Sequence, residues 1–515
     1  MLSAAHARRL ALLAPLALIA GCTVGPNYQK PDTKVKEGYS AQTPFDPVST
    51  QPTTKPSTQP IVSRWWSTFN DSTLDALVDR AIVANLDVRQ AQARVREARA
   101  RVGVERSAYL PDVTAGASYT RSSRSLNAQG GSTVSASGAG TGGGVGGGAG
   151  SGGAVNFSPD RESDFWQAGF DAAWELDVFG GTRRAVEAAV AELQAVEEDR
   201  NGVLLTLLGD VANNYVQYRG IQQTILATQG NLKVQQDTLE LTRSRFQAGL
   251  SSDLDVARAE AQVETTAAQL PPLQTQARSY LHRLGVLLGQ DPSALSNELA
   301  ETKPIPGVTV HVPIGLPSEL LRRRPDVRRA ERQLAAATAR IGQARAEFFP
   351  KFSLVGSLGL QSSDFSSWAD ADSIFWNVGP SVSWNLFAGG RIRSQVQVQN
   401  AVQEQALANF EQTVLTSLED VENALTAFDR EQARRIRLAN AVASNQRAVS
   451  LSQQLYERGL GDFLDVLSAQ QALFTSQDAL ARSEAQVSAN LVALYKALGG
   501  GWDEAAMQLT STAAK

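Results

Sequence analysis

One cysteine and three histidines in 515 residues leave no material for a disulfide framework or a cysteine-based zinc centre. His6, His282 and His311 are too scattered to build a histidine-rich metal site. Charge is also sparse: acidic and basic residues make up 19% of the chain, against about 25% in an average soluble protein. The formal net charge of −4 argues against a nucleic-acid binder held by phosphate contacts. Beyond the first 22 residues there is no apolar run approaching the roughly 20 residues a spanning helix needs. A mean hydropathy of −0.20 likewise excludes a helical multi-span membrane protein. No nucleophile–base or metal constellation stands out, so no enzyme activity, cofactor or metal is expected.

What is present begins with an address. Arg8 and Arg9 precede an apolar stretch from Leu10 to Ala20, followed by Gly21 and Cys22. A short basic region, an apolar segment and small residues at a cut site read as a secretory signal over residues 1–21. Ile19-Ala20-Gly21-Cys22 resembles a bacterial lipobox, with the only cysteine at the position that would carry lipid; the plainer alternative is an ordinary signal followed by a chance cysteine. Several acyl chains are what stable anchoring needs, and Thr23 in place of aspartate favours the outer membrane. Residues 22–62 then read as an acylated N-terminus and a Pro/Thr-rich tether, extended and free of regular structure from Tyr28 to Val62.

The remainder is one unit written twice. Asp87-Val88-Arg89 returns as Asp326-Val327-Arg328, and Tyr109-Leu110-Pro111 as Phe348-Phe349-Pro350, both at an offset of 239. Further on, Trp166 pairs with Trp376, Trp174 with Trp384, Asp210 with Asp420, Gly249 with Gly459 and Leu288-Gly289 with Leu498-Gly499, all at 210. The offset drops by 29 across a segment in which Gly130 to Gly153 holds 13 glycines and no charge lies between Arg124 and Asp160. The first copy therefore carries an insertion there. The two copies are assigned to residues 63–300 and 301–515.

Each copy holds two segments of strict alternation, expected as strands at about 112–123 and 164–178, then at 351–361 and 374–387. Apolar Trp166, Ala168, Phe170, Ala172, Trp174 and Leu176 alternate with polar or small neighbours, as do Trp376, Val378, Pro380, Val382, Trp384 and Leu386. A period of two puts one kind of group on each face. Strand lengths near ten, with tryptophan at both ends, fit lipid-facing barrel strands; a half-buried strand of a soluble sandwich is the alternative. Long helices are expected at about 183–247 and 391–458, the second without glycine or proline over 68 residues. Leu407, Phe410, Val414, Leu418, Val421, Leu425 and Phe428 recur every three or four residues, the seam of a coiled coil. Such a helix is about 100 Å long, too long for a compact globule. Four strands cannot close a membrane barrel, whose smallest form has about eight, and open edges in lipid are costly. Several copies must share one barrel.

The fold class expected is thus mainly α with a small membrane β part. At this level the chain resembles the outer-membrane factor family, the TolC-like channels, and within it the OprM-like, NodT-type lipoprotein branch serving multidrug efflux. The resemblance runs through Cys22-Thr23-Val24-Gly25-Pro26-Asn27-Tyr28, Trp65-Trp66 with Phe69, Asp71 and Leu74, and Gly315-Leu316-Pro317-Ser318. It continues in Arg323-Arg324-Pro325-Asp326-Val327, Phe349-Pro350 and Ala497-Leu498-Gly499-Gly500-Gly501-Trp502. It implies a homotrimer with a twelve-stranded barrel and a long periplasmic α-helical barrel in the outer membrane. As partners it implies outer-membrane lipid, a periplasmic membrane-fusion adaptor and an inner-membrane proton-driven RND pump. A type I protein-secretion channel and a non-conducting envelope rod or adhesin are the competing functions.

The turn after each long helix is the candidate site. Gly249 and Gly459 suit the left-handed residue that ends a helix, and Asp253 and Asp462 suit helix starts. A capped helical hairpin explains that much. By resemblance the turn is the periplasmic tip, where Asp255, Tyr456, Leu464 and Asp465 match positions that hold the tip closed or line it. Ser468 stands where many relatives carry a second carboxylate one turn beyond Asp465. The glycine-rich segment, 125–159, is read as a flexible extracellular loop or a surface-recognition element. The run Arg322-Arg323-Arg324 with Arg328, Arg329 and Arg332 is read as a solvated or ion-paired helix start.

Overall fold

The computed structural model describes residues 23–32, 64–123, 162–307 and 323–500. Cys22, the glycine-rich segment 125–159, Gly315-Leu316-Pro317-Ser318, Arg322 and Trp502 lie outside them. The chain divides into two compact units. Of the described residues, the first holds 23–25, 103–123, 162–186 and 342–396, and the second holds 26–32, 64–102, 187–307, 323–341 and 397–500.

The first unit is built on β1 (Asp112–Ser123), β2 (Glu162–Leu176), β3 (Lys351–Ser362) and β4 (Ile374–Ser383). They form one antiparallel sheet in the order β1-β2-β3-β4. Register keeps the two chemistries apart. Tyr119, Trp166 and Ser362 share a row, as do Leu358 with Phe170 and Trp376, so most of the large apolar side chains line one face, with Phe165, Val355 and Phe375 on the other. The other face carries Thr114, Asp171, Ser357 and Asn377 in another row. The duplication is visible in the hydrogen bonds: the indole N–H of Trp174 donates to Tyr109 O (2.9 Å), and that of Trp384 to Phe348 O (3.0 Å).

Two strand ends depart from expectation. β2 stops at Leu176, not 178, because Asp177 turns to serve the next helix, accepting from the N–H groups of Thr182 (3.1 Å) and Arg183 (2.8 Å). β4 stops at Ser383, not 387. Beyond Ala173, β2 stays extended because Trp174–Leu176 pair with Leu354, Ser353 and Phe352 of β3. Among the described residues, the equivalent Trp384–Leu386 have no strand on that side.

The helices are α1 (Ser72–Ala84), α2 (Leu86–Ser107), α3 (Gly181–Gln247), α4 (Asp253–Ala267), α5 (Leu270–Leu287), α6 (Pro325–Ala346), α7 (Arg391–Glu457) and α8 (Phe463–Ala497). None is long and apolar enough to cross a membrane. α3 and α7 have 67 residues each, and the expected seam of α7 packs inward through Phe410, Val414, Val421 and Leu425. Asp71 caps α1 by accepting from Thr73 and Leu74 N–H (2.8 and 3.2 Å), which sets Leu74, Leu77, Val78 and Ala81 on the buried stripe. The core of the second unit gathers these with Trp65, stacked on Tyr495 at 5.3 Å, and with Leu208, Tyr215 and Leu284. The two return segments differ. α8 is continuous over 35 residues, whereas α4 ends at Ala267 and α5 begins with Pro271-Pro272 in its first turn.

Both repeats end alike. Gly289 and Gly499 take positive φ (66° and 70°), and each closes its helix with paired carbonyl bonds: Gln290 N–H to Gly285 O (2.9 Å), Gly500 N–H to Tyr495 O (3.0 Å). Next to these ends, Asn85 donates to Leu287 O (2.8 Å) and Arg324, its counterpart, to Ala497 O (3.1 Å). Of the two readings of the arginine run, solvated or ion-paired, Arg324 takes the ion-paired one and is buried besides. It is only 9% exposed and also bonds Asp326, Asp420 and Ser417 O. Its neighbours are ion-paired too: Arg328 with the buried Glu198 and Arg329 with Asp199.

The tether reading also needs correction at its start. In the first unit, Val24 N–H donates to Phe179 O (3.2 Å) and Arg184 reaches Val24 O and Gly25 O. In the second, the Tyr28 hydroxyl donates to Glu331 (3.3 Å), Lys30 pairs with the same carboxylate (2.9 Å), and the Arg332 guanidinium lies over the Tyr28 ring. Burial, with the Glu331 charge adding to it, pushes the Tyr28 hydroxyl pKa up to about 12. Tyr28 and Lys30 dock this segment on the second unit because they partner the buried Glu331 carboxylate. Tyr28→Ala combined with Lys30→Ala should leave Glu331 short of two partners. The expected result is faster proteolytic release of the N-terminal peptide, read by mass spectrometry.

Candidate functional site: the paired helical turns

Two turns of the second unit lie side by side, and both use the same backbone device. Gly249 has φ of 73° and Gly459 of 71°. Leu250 N–H donates to Arg245 O and Leu460 N–H to Leu455 O, both at 2.8 Å. Gly249 and Gly459 add the inner bonds to Phe246 O (2.8 Å) and Tyr456 O (3.0 Å). Only glycine takes that conformation without a Cβ penalty, so the sequence folds into a tight reversal at the same place in both copies.

The starts of the return helices are not alike. α4 opens with Ser252, whose hydroxyl oxygen accepts from Asp255 N–H (3.3 Å), while the Asp255 carboxylate accepts from Ser252 N–H (3.2 Å). This is a reciprocal capping box. The expected cap, Asp253, is instead the first residue of the helix, where its charge faces the helix dipole. Ser252 wins because its short hydroxyl reaches the third N–H and leaves Asp255 free to close the box. Asp462 does occupy the cap position of α8 but makes no side-chain cap bond.

Under the turns is a small apolar core of Leu239, Val256, Ala259, Val263, Tyr456, Phe463 and Val466. Tyr456 belongs to it, at 5% exposure, with its ring 5.8 Å from that of Phe463. The same helical period that buries Phe463 and Val466 turns Leu464 (55% exposed) and Asp465 outward on adjacent positions. Ser468 spends its hydroxyl on Asp465 O (3.0 Å). Among the site residues, then, Tyr456 sits in the core, Asp255 is engaged in a cap, and Leu464 and Asp465 form the exposed apolar and acidic surface.

Sequence reasoning missed Arg245. Its guanidinium lies 4.7 Å from the centre of the Tyr456 ring and donates to Glu457 O (3.2 Å), joining the first hairpin to the second. Among the described residues, the Arg245 Nε and the Tyr456 hydroxyl are buried without a hydrogen-bond partner. A signal existed: the counterpart of Arg245 at the 210 offset is Leu455, so a cation replaces an apolar residue at an otherwise repeated position.

Comparison with known proteins agrees with this geometry. The profile described as "Outer membrane efflux protein" matches residues 77–290 and 316–500. The chain is similar to "Nodulation protein T" of Rhizobium leguminosarum bv. trifolii, at 31% identity over 95% of this chain and 96% of that protein. It is similar to "Solvent efflux pump outer membrane protein SrpC" of Pseudomonas putida, at 31% identity over 95% of this chain and 97% of that one. Among solved structures, the outer-membrane channel OprN superposes with a TM-score of 0.81 at 35% identity, covering 93% of this chain and all of that one.

Proposed function

Because this chain belongs to the outer membrane efflux protein family and is an outer-membrane efflux channel extending into the periplasm, we propose that it is the exit duct of a tripartite RND-type pump. Three copies would close one twelve-stranded barrel and pass small molecules from periplasm to outside. A periplasmic adaptor and an inner-membrane pump would act at the tip. The chain supplies a passive path and no chemistry. The observation that carries this reading is the open sheet: four strands with an apolar face, a polar face and two unpaired edges. Unpaired backbone in lipid costs several kcal/mol per group, and copies of the same sheet remove that cost while turning the polar face onto water. Cys22, outside the described residues, would hold the lipid that adds an anchor.

At the tip, Leu464 and Asp465 are the exposed pair that a three-fold axis would gather into an apolar and an acidic ring. Carboxylates about 6 Å apart repel by about 3 kcal/mol per pair at an effective dielectric of 20 and roughly 1 in water. Such a ring attracts cations and favours a wider opening when no counter-charge is present. Gly249 and Gly459 would shape the turns, with Asp255 and Tyr456 fixing the hairpins that carry the ring.

Deletion of the gene should raise susceptibility to pump substrates, and the purified protein should conduct ions in planar bilayers; a protein that does neither is not the duct. Asp465→Ala should lower cation selectivity and change single-channel conductance, and unaltered currents would remove the ring from the mechanism. Arg245→Ala should weaken the tie between hairpins by about 1–2 kcal/mol. The expected readout is greater leakage of a large antibiotic such as vancomycin, with trimer yield unchanged.

A further inference from the structure

The first repeat keeps the surroundings of Arg324 and lacks the arginine. At offsets of 239 and 210, Arg324, Asp326, Asp420, Ser417 and Ala497 correspond to Asn85, Asp87, Asp210, Leu207 and Leu287. In the second repeat the Arg324 guanidinium bonds two carboxylates, Asp326 at 2.6 Å and Asp420 at 2.9 Å, and two carbonyl oxygens, Ala497 O at 3.1 Å and Ser417 O at 3.4 Å. In the first, both carboxylates remain and the cation is gone. Asn85 still donates to Leu287 O (2.8 Å), as Arg324 does to Ala497 O. Its side-chain oxygen accepts from the N–H groups of Asp87 and Val88 (2.9 and 3.0 Å), and its short, uncharged amide bonds neither carboxylate.

These five counterparts all line one cleft of about 500 Å³ between α2, α3, α5 and the start of α6, a volume within the range of small-ligand sites. Leu207 and Leu287 are buried and form its floor. The cations around it are committed elsewhere or too far. Arg329 and Arg94 share Asp199 (2.7 and 3.9 Å), and Lys496 comes no nearer to Asp210 than 3.9 Å. Among the described residues the Asp87 carboxylate has no hydrogen bond or ion pair, and Arg283, on the cleft wall, pairs with neither acid. We propose that the cleft binds a guanidinium group brought by a ligand, held between Asp87 and Asp210 as Arg324 is held between Asp326 and Asp420, with Leu207 O accepting in place of Ser417 O. A planar guanidinium has five N–H donors and serves two carboxylates and a carbonyl at once, which a compact ammonium does less well. The remainder of the ligand lies along Val203, Thr206 and Gln90. Asp210 is 38% exposed, so binding is expected to be modest and to weaken with salt. Every residue of the site belongs to the second unit of a single chain, so the inference does not depend on the shared barrel.

The test is calorimetric titration of the purified full-length protein in detergent at low salt. Two probes carry the group: agmatine, a free guanidinium compound, and N-acetyl-arginine amide, which stands for an arginine of a partner protein. N-acetyl-citrulline amide, of similar shape but uncharged, is the control. The protein should bind at least one guanidinium probe and not the citrulline analogue. Asp87→Asn and Asp210→Asn should each weaken that binding by about tenfold or more, the loss of one charge-assisted bond. Tighter binding of agmatine points to a small-molecule ligand, and tighter binding of the amide to an arginine side chain. Asn85→Arg should supply the missing cation from the chain itself and abolish binding of both probes. No binding of either probe to the unsubstituted protein overturns the proposal, as does equal binding of the citrulline analogue or undiminished binding by the two Asn variants. Full binding by folded Asn85→Arg would show that the ligand does not occupy the place Arg324 takes in the second repeat, and overturns it too.

Discussion

Arg324→Ala is expected to be among the most damaging single substitutions in the helical part, lowering stability by about 3 kcal/mol. The guanidinium donates to Ala497 O (3.1 Å) and Ser417 O (3.4 Å), and it bonds Asp326 (2.6 Å) and Asp420 (2.9 Å). Breaking a buried pair by removing one partner costs about 3–5 kcal/mol. Asp326 and Asp420 are about a third to a half exposed here, which takes the expectation to the lower end. The measurement is the midpoint of thermal conversion from oligomer to monomer in detergent. Acid dependence gives a second check. Burial raises the Asp326 carboxyl, but the hydrogen bonds and charge of Arg324, with Val327 N–H, outweigh it and hold its pKa below the ordinary value. A carboxylate lowered in the folded state contributes stability that is complete above its unfolded pKa of about 4 and is lost as pH falls through the folded value. Between pH 5 and pH 3 the wild type should therefore lose stability that Asp326→Asn no longer has to lose. Parallel slopes for the two proteins would exclude the pair as a source of acid sensitivity.

Gly359→Val should prevent the sheet from forming. Gly359 is registered with Gly169 on β2 and with Phe375 on β4. A Cβ there would lie 2.4 Å from Ala168 O, 2.7 Å from Gly169 Cα and 2.9 Å from the Phe375 ring. Two of those atoms are backbone of the adjacent strand and cannot yield without parting the ladder, so the cost exceeds the about 1–3 kcal/mol of ordinary overpacking. The present arrangement lets the Phe375 ring cover the glycine, a known remedy for a weak point in a sheet. Gly116→Val is the control. It lies in the same row, a Cβ there meets nothing within 4 Å, and its counterpart in the second copy is already Val355. Loss of heat-modifiable oligomer and of conductance is expected for Gly359→Val alone. Normal insertion of both variants would show that the strands can separate at this row.

Much of the architecture was legible because it is periodic and repeated. Long stretches without proline and poor in glycine set the limits of α3 and α7 to within two residues, and alternation did the same for three of the four strands. β4 escaped because alternation records which face a side chain prefers, whereas a strand end depends on whether a neighbour is there to pair. The burial of Arg324 escaped for a related reason. A run of arginines is the same string whether its acceptors are water or Ser417 O, Asp420 and Ala497 O, residues about a hundred or more positions away. At the turns, Gly249 and Gly459 followed from the rules of helix termination, whereas Leu464 and Asp465 were named by resemblance alone. Arg245 followed from neither, since its partner Tyr456 comes from the other repeat.

The two copies are not mechanically equal. One return arm is a single rod, Phe463–Ala497, while the other is interrupted between Ala267 and Leu270, with Pro271 and Pro272 withholding two N–H groups from the ladder. A force applied near the turns meets a stiff strut in one arm and a compliant joint in its twin. Bending strain therefore collects at one point per chain, and a ring of such chains would yield in alternating sectors.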